Sequence, residues 1–134
     1  MQIYTSSWFS YHGPGRIGIS RGTPRYGVPP GYRLYKRLAP TRDILFNTTG
    51  KADYEPRFHA EVLGPLDPEA VMADLARLAA PYDPVLLCFE RPPFDEENFC
   101  HRHMVADWLR AHGATVEEWS GPRESHPGQP TLDV

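Results

Sequence analysis

No stretch of the 134-residue chain comes near the roughly eighteen consecutive apolar residues of a membrane span, so no membrane-crossing helix is expected. Cysteine is scarce. Cys88 and Cys100 are the only two, too few for a disulfide-stapled fold, and a reducing, intracellular setting is the default. No charged-then-apolar leader opens the chain, since Met1-Gln2-Ile3 runs straight into a strand-like pattern, and the cytoplasm is the expected location. Gly13, Gly15, Gly18 and Gly22 have neither the lysine-serine ending of a phosphate loop nor the GxGxxG spacing of a dinucleotide fold. Internal repeats are missing too.

Acidic residues are also nearly absent from the first part of the chain. Residues 1–51 hold eight Lys/Arg against the single acid Asp43, whereas the remainder holds six against sixteen, for a net charge of −3. Two readings stay open. Either the two parts neutralise each other across the fold, or the amino-terminal part presents a face to an anion. A strong duplex-DNA binder normally carries a larger basic excess, but a nucleotide or short nucleic-acid segment suits this one.

What is present fits one folded domain. The 40% hydrophobic and 12% aromatic content supports a real core over residues 1–120, and the proline-rich stretch 121–134 is expected to be a flexible tail. Gln2 to Phe9 alternates roughly and predicts a first strand; Arg16 to Ser20 predicts a second. Thr23 to Arg37 is so broken by proline and glycine that it predicts an ordered irregular loop. Ala39-Pro40-Thr41 starts a short helical turn through Leu45, and Tyr54, Phe58 and Val62 share one helical face despite Pro56. Asp67 and Pro68 open a helix whose apolar stripe is Val71, Met72, Leu75, Leu78 and Ala79, with Pro81 ending it. The second half predicts a buried strand at Val85–Cys88, a helix capped by Asn98, and a last strand at Thr115–Trp119. Helices between strands argue for a small three-layer α/β domain around a mostly parallel sheet.

The segment Pro84–His112 organises the rest, because it brings a strand's carboxyl end and a helix's amino end to one crevice, where open α/β sheets bind ligands. At the helix start, free backbone N–H groups favour negative charge, and Arg102 can add a two-pronged grip on phosphate or carboxylate. The same field lowers a thiol's pKa, making Cys100 a candidate nucleophile, and His101 or Glu90 a candidate acid or base. Arg21, Ser6 and Cys88 are candidate ligand contacts from the neighbouring strand ends. Each has a plainer alternative. Cys88 and Cys100 can be small core residues, His101 a packed ring, Glu90 a solvated loop charge, Arg21 a surface cation and Ser6 a strand hydroxyl. Tyr54 reads as core. Cys88, Cys100, His101, His103 and His112 lack the paired short-gap spacing of structural zinc, so no metal is expected, and no motif names a cofactor.

Leu86-Leu87-Cys88-Phe89-Glu90 followed by Cys100-His101-Arg102-His103, Val105-Ala106 and Trp108-Leu109 resembles the domain of unknown function 488 family. The likeness extends to Tyr4-Thr5-Ser6, Ser20-Arg21-Gly22, Leu38-Ala39-Pro40, Leu66-Asp67-Pro68 and Val116-Glu117-Glu118-Trp119, over about residues 2–119; the long loop Pro92–Phe99 departs from it. The resemblance implies a small Rossmann-like domain with a suspected active site and no settled reaction.

The expected function is an intracellular enzyme acting on a phosphate-bearing nucleotide, nucleoside or nucleic-acid base. Arg21 and Arg102 would hold the anion, and Glu90, Cys100 and His101 would do the chemistry. Two rivals stand beside it: a non-catalytic module binding nucleotide or nucleic acid through the same groups, and a thiol-redox or zinc protein built on Cys88 and Cys100.

Overall fold

A computed structural model describes residues 1–90, 94–95 and 98–124. Five strands, β1 (Gln2–Ser7), β2 (Arg16–Gly18), β3 (Arg33–Leu34), β4 (Val85–Cys88) and β5 (Thr115–Glu118), form one parallel sheet in the order β3-β2-β4-β1-β5. The central strand β4 is buried at every residue, which is why it reads as an unbroken apolar run. Alternation sorts its neighbours. Ile3, Ile17 and Leu86 face the helices, while Tyr4, Val85 and Leu87 face the opposite side with Trp8 and Tyr11.

Four helices follow the sequence signals closely. They are α1 (Arg42–Phe46), α2 (Gly50–Phe58), α3 (Pro68–Ala79) and α4 (His101–Ala111). Thr41 caps α1 by accepting the Ile44 N–H at 3.1 Å, and Asp67 caps α3 by accepting the Glu69 N–H at 3.1 Å. Pro56 lies inside α2, and the turn after it, His59–Leu63, opens to π-helical width. The face of Tyr54, Phe58 and Val62 is nevertheless buried as its spacing implies.

Every helix packs on one face of the sheet, in the cluster that holds Ile44, Phe58, Leu75, Met104 and Leu109. The other face is covered by loop residues, Phe9, Tyr11, Val28 and Tyr32, together with Trp119. Crossover handedness accounts for this. Connections running toward β3 and connections running toward β5 must pass on opposite faces if all are right-handed. The two that run toward β3, from β1 to β2 and from β2 to β3, are loops; the two that run toward β5 carry the helices. The α/β fold is as expected, with loops instead of helices as its third layer.

Some boundaries differ. The Thr23–Arg37 loop contains β3, and the Tyr35 N–H just after it continues the pairing to Gly18 O at 2.9 Å. β1 stops at Ser7 because Ser7 Oγ accepts the Phe9 and Ser10 N–H groups and turns the chain. Asn98 is not the cap of α4: its N–H donates to Asp95 Oδ1 at 2.7 Å, and Cys100 takes the cap position. The tail expected at 121–134 falls outside the described residues from 125 onward. Up to Glu124 the chain is held by His12 N–H to Arg123 O at 2.7 Å and Trp119 Nε1–H to Pro122 O at 3.2 Å.

Candidate functional site

The carboxyl ends of β2 and β4 point toward the amino end of α4, and between them lies a cavity of about 460 Å³. Ser20, Arg21 and Gly22 supply one wall, Phe89 and Glu90 a second, and Asn98, Phe99 and His101 a third. Leu45, Thr48, Gly50 and Tyr54, from α1, α2 and their connection, close the fourth. Three of the expected residues, Arg21, Glu90 and His101, therefore meet in one place.

His101 is the first residue of α4 and only 6% exposed. Its Nε2 lies 2.7 Å from Ile19 O. A carbonyl can only accept, so Nε2 carries the hydrogen and Nδ1 of the neutral ring keeps a lone pair. Burial holds the imidazole pKa down to about 4; the Ile19 bond opposes that and the Arg102 charge adds to it. The ring is thus neutral at ordinary pH. Phe58 packs against it edge-on, with centroids 5.5 Å apart.

Glu90 is half-buried, and its carboxylate has no hydrogen-bond or ion-pair partner among the described residues. Its backbone is fixed, since Glu90 O accepts from Arg102 Nη1 at 2.6 Å. Beside it, the Tyr54 hydroxyl is held protonated, by burial first and by the Glu90 charge second. Arg21 is exposed, and its side chain makes one long bond, from Nη1 to Pro40 O at 3.4 Å. The turn that carries it is anchored by Ser20 Oγ, which accepts from Trp8 Nε1 at 2.9 Å and donates to Gly22 O at 2.6 Å.

The other four expected residues stand elsewhere. Arg102 does not offer a free fork to an anion. It is 0% exposed, and Glu118 engages it at both Nε (3.0 Å) and Nη2 (2.7 Å). Its Nη1 is used by Cys88 Sγ at 3.2 Å and by Glu90 O, and the Phe94 ring covers its face at 5.0 Å. Its role is to pin the β4 loop, α4 and β5 together. Cys100 is not a free thiolate: its sulfur is joined to that of Cys88 in a disulfide and also caps α4, accepting the Arg102 N–H at 3.4 Å. Ser6 shares the strand face of Tyr4, away from the helices, and its buried Oγ finds no partner among the described residues.

Cys88, Cys100 and His101 are the one group of possible metal ligands among the described residues, with donor atoms within 4.8 Å of one another. As thiolates they would present two sulfurs and one imidazole nitrogen; as a disulfide they present no thiolate. His103 turns instead to Glu118 at 3.5 Å, and His112 packs on Trp108.

Sequence reasoning overlooked Tyr54, Phe89, Phe99 and Glu118. Tyr54 and Phe99 pack on the core on one side and wall the cavity on the other, while Phe89 is an exposed ring just past the end of β4. Glu118 carried one usable signal, a carboxylate at the end of the last strand where Arg102 needed a partner.

A family model described as the active DUF488-N3 subclade matches residues 11–113. The chain belongs to the DUF488 family. Within this DUF488 domain the matched stretch holds Arg21, Cys88, Glu90, Cys100, His101 and Arg102, while β1 and β5 lie outside it. No curated protein and no solved structure matches the chain. No helix among the described residues is long and apolar enough to cross a membrane.

Proposed function

We propose that this DUF488 protein is an intracellular enzyme acting on a phosphate-bearing nucleotide, nucleoside or nucleic-acid base. The observation that carries the reading is the meeting of Arg21, Glu90, Tyr54 and His101 around one cavity walled by Phe89 and Phe99. Aromatic walls stack on a base, and an unpaired guanidinium at the rim accepts a phosphate. An uncommitted carboxylate takes a proton from water or supports positive charge building on a sugar carbon. The protonated Tyr54 hydroxyl donates to a leaving nitrogen or oxygen, and the Nδ1 lone pair of His101 accepts from a substrate N–H or O–H. Glycosyl-bond or phosphoester hydrolysis uses all four groups.

The test pairs binding with turnover. A thermal-shift screen of nucleotides and nucleosides identifies the ligand by the stabilisation it confers on the folded state. With that ligand, Glu90→Gln is expected to leave the shift in place and cut turnover by about a hundredfold or more. Binding without any turnover in the unaltered protein would instead leave a recognition module.

A second reading rests on the bonded sulfurs of Cys88 and Cys100. Here the pair undergoes thiol–disulfide exchange with a partner dithiol: the partner's two electrons and two protons pass to Cys88 and Cys100, and the partner leaves as the disulfide. Loss of all activity in Cys88→Ser, together with retained activity in Glu90→Gln, would select this reading over the first.

A further inference from the structure

We infer that the base this DUF488 domain takes into its cavity belongs to a single-stranded nucleic acid, whose next phosphates run along Arg21, Lys36 and Arg37. The inference rests on the nucleotide reading above and names its substrate class.

A second cavity of about 410 Å³ adjoins the first and shares Arg21 and Pro40 with it. Its other basic residues are Lys36 and Arg37, in the short 3-10 turn Lys36–Leu38 that follows β3. The turn is nailed down by buried Tyr35 and Leu38, so its two cations are displayed outward from a fixed backbone. Arg21 is thus a hinge between two concavities, one aromatic and one basic.

The ion pairs decide between the two readings of the charge asymmetry. Among the described residues, Asp43, Glu61, Asp74, Asp107 and Glu118 pair with Arg57, Arg77, Arg102, Arg110 and His103, and these five cations all come from the later part of the chain. No Lys or Arg of residues 1–51 has an ion-pair partner among the described residues. Arg16 is buried and spends itself on the carbonyls of Gly13, Pro29 and Pro30. Among the described residues, then, no acid of the later part pairs with an early cation, and Arg21, Lys36 and Arg37 keep no ion-pair partner.

Carboxylates near the second cavity are already engaged. Glu61 lines it but is gripped by Arg57, and Asp74, which feels the Arg37 charge, accepts from Tyr35 Oη at 2.7 Å and Arg77 at 3.1 Å. A free mononucleotide would use Arg21 and leave Lys36 and Arg37 idle. A strand gives them phosphates. It must be single, because a base seated between Phe89, Phe99 and Tyr54 has to leave its stack, which costs least where it is unpaired.

The experiment compares a fluorescein-labelled mononucleotide with a labelled seven-residue single-stranded DNA by anisotropy, over a range of salt. The oligonucleotide is expected to bind at least tenfold tighter. Lys36→Glu/Arg37→Glu should remove that gain and leave mononucleotide binding unchanged. In the milder Lys36→Ala/Arg37→Ala protein the slope of log affinity against log salt should fall by about 1.4, two contacts at about 0.7 each. A control reversal, Arg110→Glu, should alter neither. Equal affinity for the two probes in the unaltered protein would overturn the inference and leave the nucleotide reading standing. Binding of neither would sink both. Equally tight, salt-sensitive binding to anionic phosphatidylserine vesicles would overturn the assignment to nucleic acid.

Discussion

The Arg102 guanidinium lies against the Glu118 carboxylate in a two-pronged pair, 3.0 Å at Nε and 2.7 Å at Nη2, and so joins the first turn of α4 to the end of β5. The arginine is wholly buried while its partner is 35% exposed, so the two halves of the pair differ in what their loss does. Glu118→Ala strands a buried cation and is expected to cost on the order of 3 kcal/mol. Glu118→Gln, which still accepts hydrogen bonds, should cost less. Chemical denaturation of the three proteins at neutral pH checks the order.

The same pair sets an acid limit. Burial alone would raise the Glu118 pKa, but hydrogen bonds from His103 and Arg102, the Arg102 charge and the Thr5 hydroxyl hold it down to about 2. A carboxyl depressed in the folded state stabilises it above the ordinary value of 4.5 and ceases to do so as pH falls toward 2. The unfolding free energy should therefore fall through that window, and Glu118→Gln should flatten the fall.

His101 adds a second slope at higher pH. Its folded-state pKa is lowered to about 4 from 6.5, so the unfolded chain binds the proton first. Stability is complete above pH 6.5 and declines as pH falls to 4, by on the order of 3 kcal/mol at full extent. His101→Phe should erase this slope while leaving the one below it. An unchanged profile in that variant would show the ring to be solvated.

Gly18 sits where β2 passes under Trp8, and a Cβ there would clash with the indole Cζ2 and Cη2 and lie 3.0 Å from Leu34 Cδ2. Gly18→Ala is expected to destabilise by about 1–3 kcal/mol through overpacking. Because Trp8 also holds Ser20, which orders the Arg21 turn, the variant should bind any cavity ligand more weakly. Indole fluorescence and a melt read the two effects separately.

The paired sulfurs predict that native protein prepared without reductant shows no reactive thiol to a colorimetric disulfide reagent, and two after reduction and unfolding. One or two reactive thiols before reduction would mean that the pair is reduced in solution.

Much of this architecture was legible beforehand because it rests on local rules. Asp67-Pro68 announced α3, the Val85–Cys88 run announced a central strand, and the meeting of that strand's end with the start of α4 located the cavity. What escaped were relationships between distant segments. The spacing of Cys100, His101 and Arg102 says that they open a helix; it cannot say that Glu118 will consume the arginine or that Cys88 will reach the cysteine. Nor could it show that Ser6 faces away, because strand alternation assigns sides only once one residue's side is known. Tyr54 was placed in the core by its period and is there, but periodicity cannot tell a ring sealed on all sides from one that fronts a cavity.

The strand order carries a consequence for the making of the molecule. β1 is made before the other four strands of the sheet, yet its neighbours on either side are β4 and β5, the last two of the five. Its backbone groups and the Ile3 side chain must wait for nearly the whole domain before they find their partners. Such late, long-distance closure is slow. Until β5 is delivered β1 exposes an unsatisfied edge, so a chain cut just before Thr115 should lose solubility although every residue that surrounds the cavity is still present.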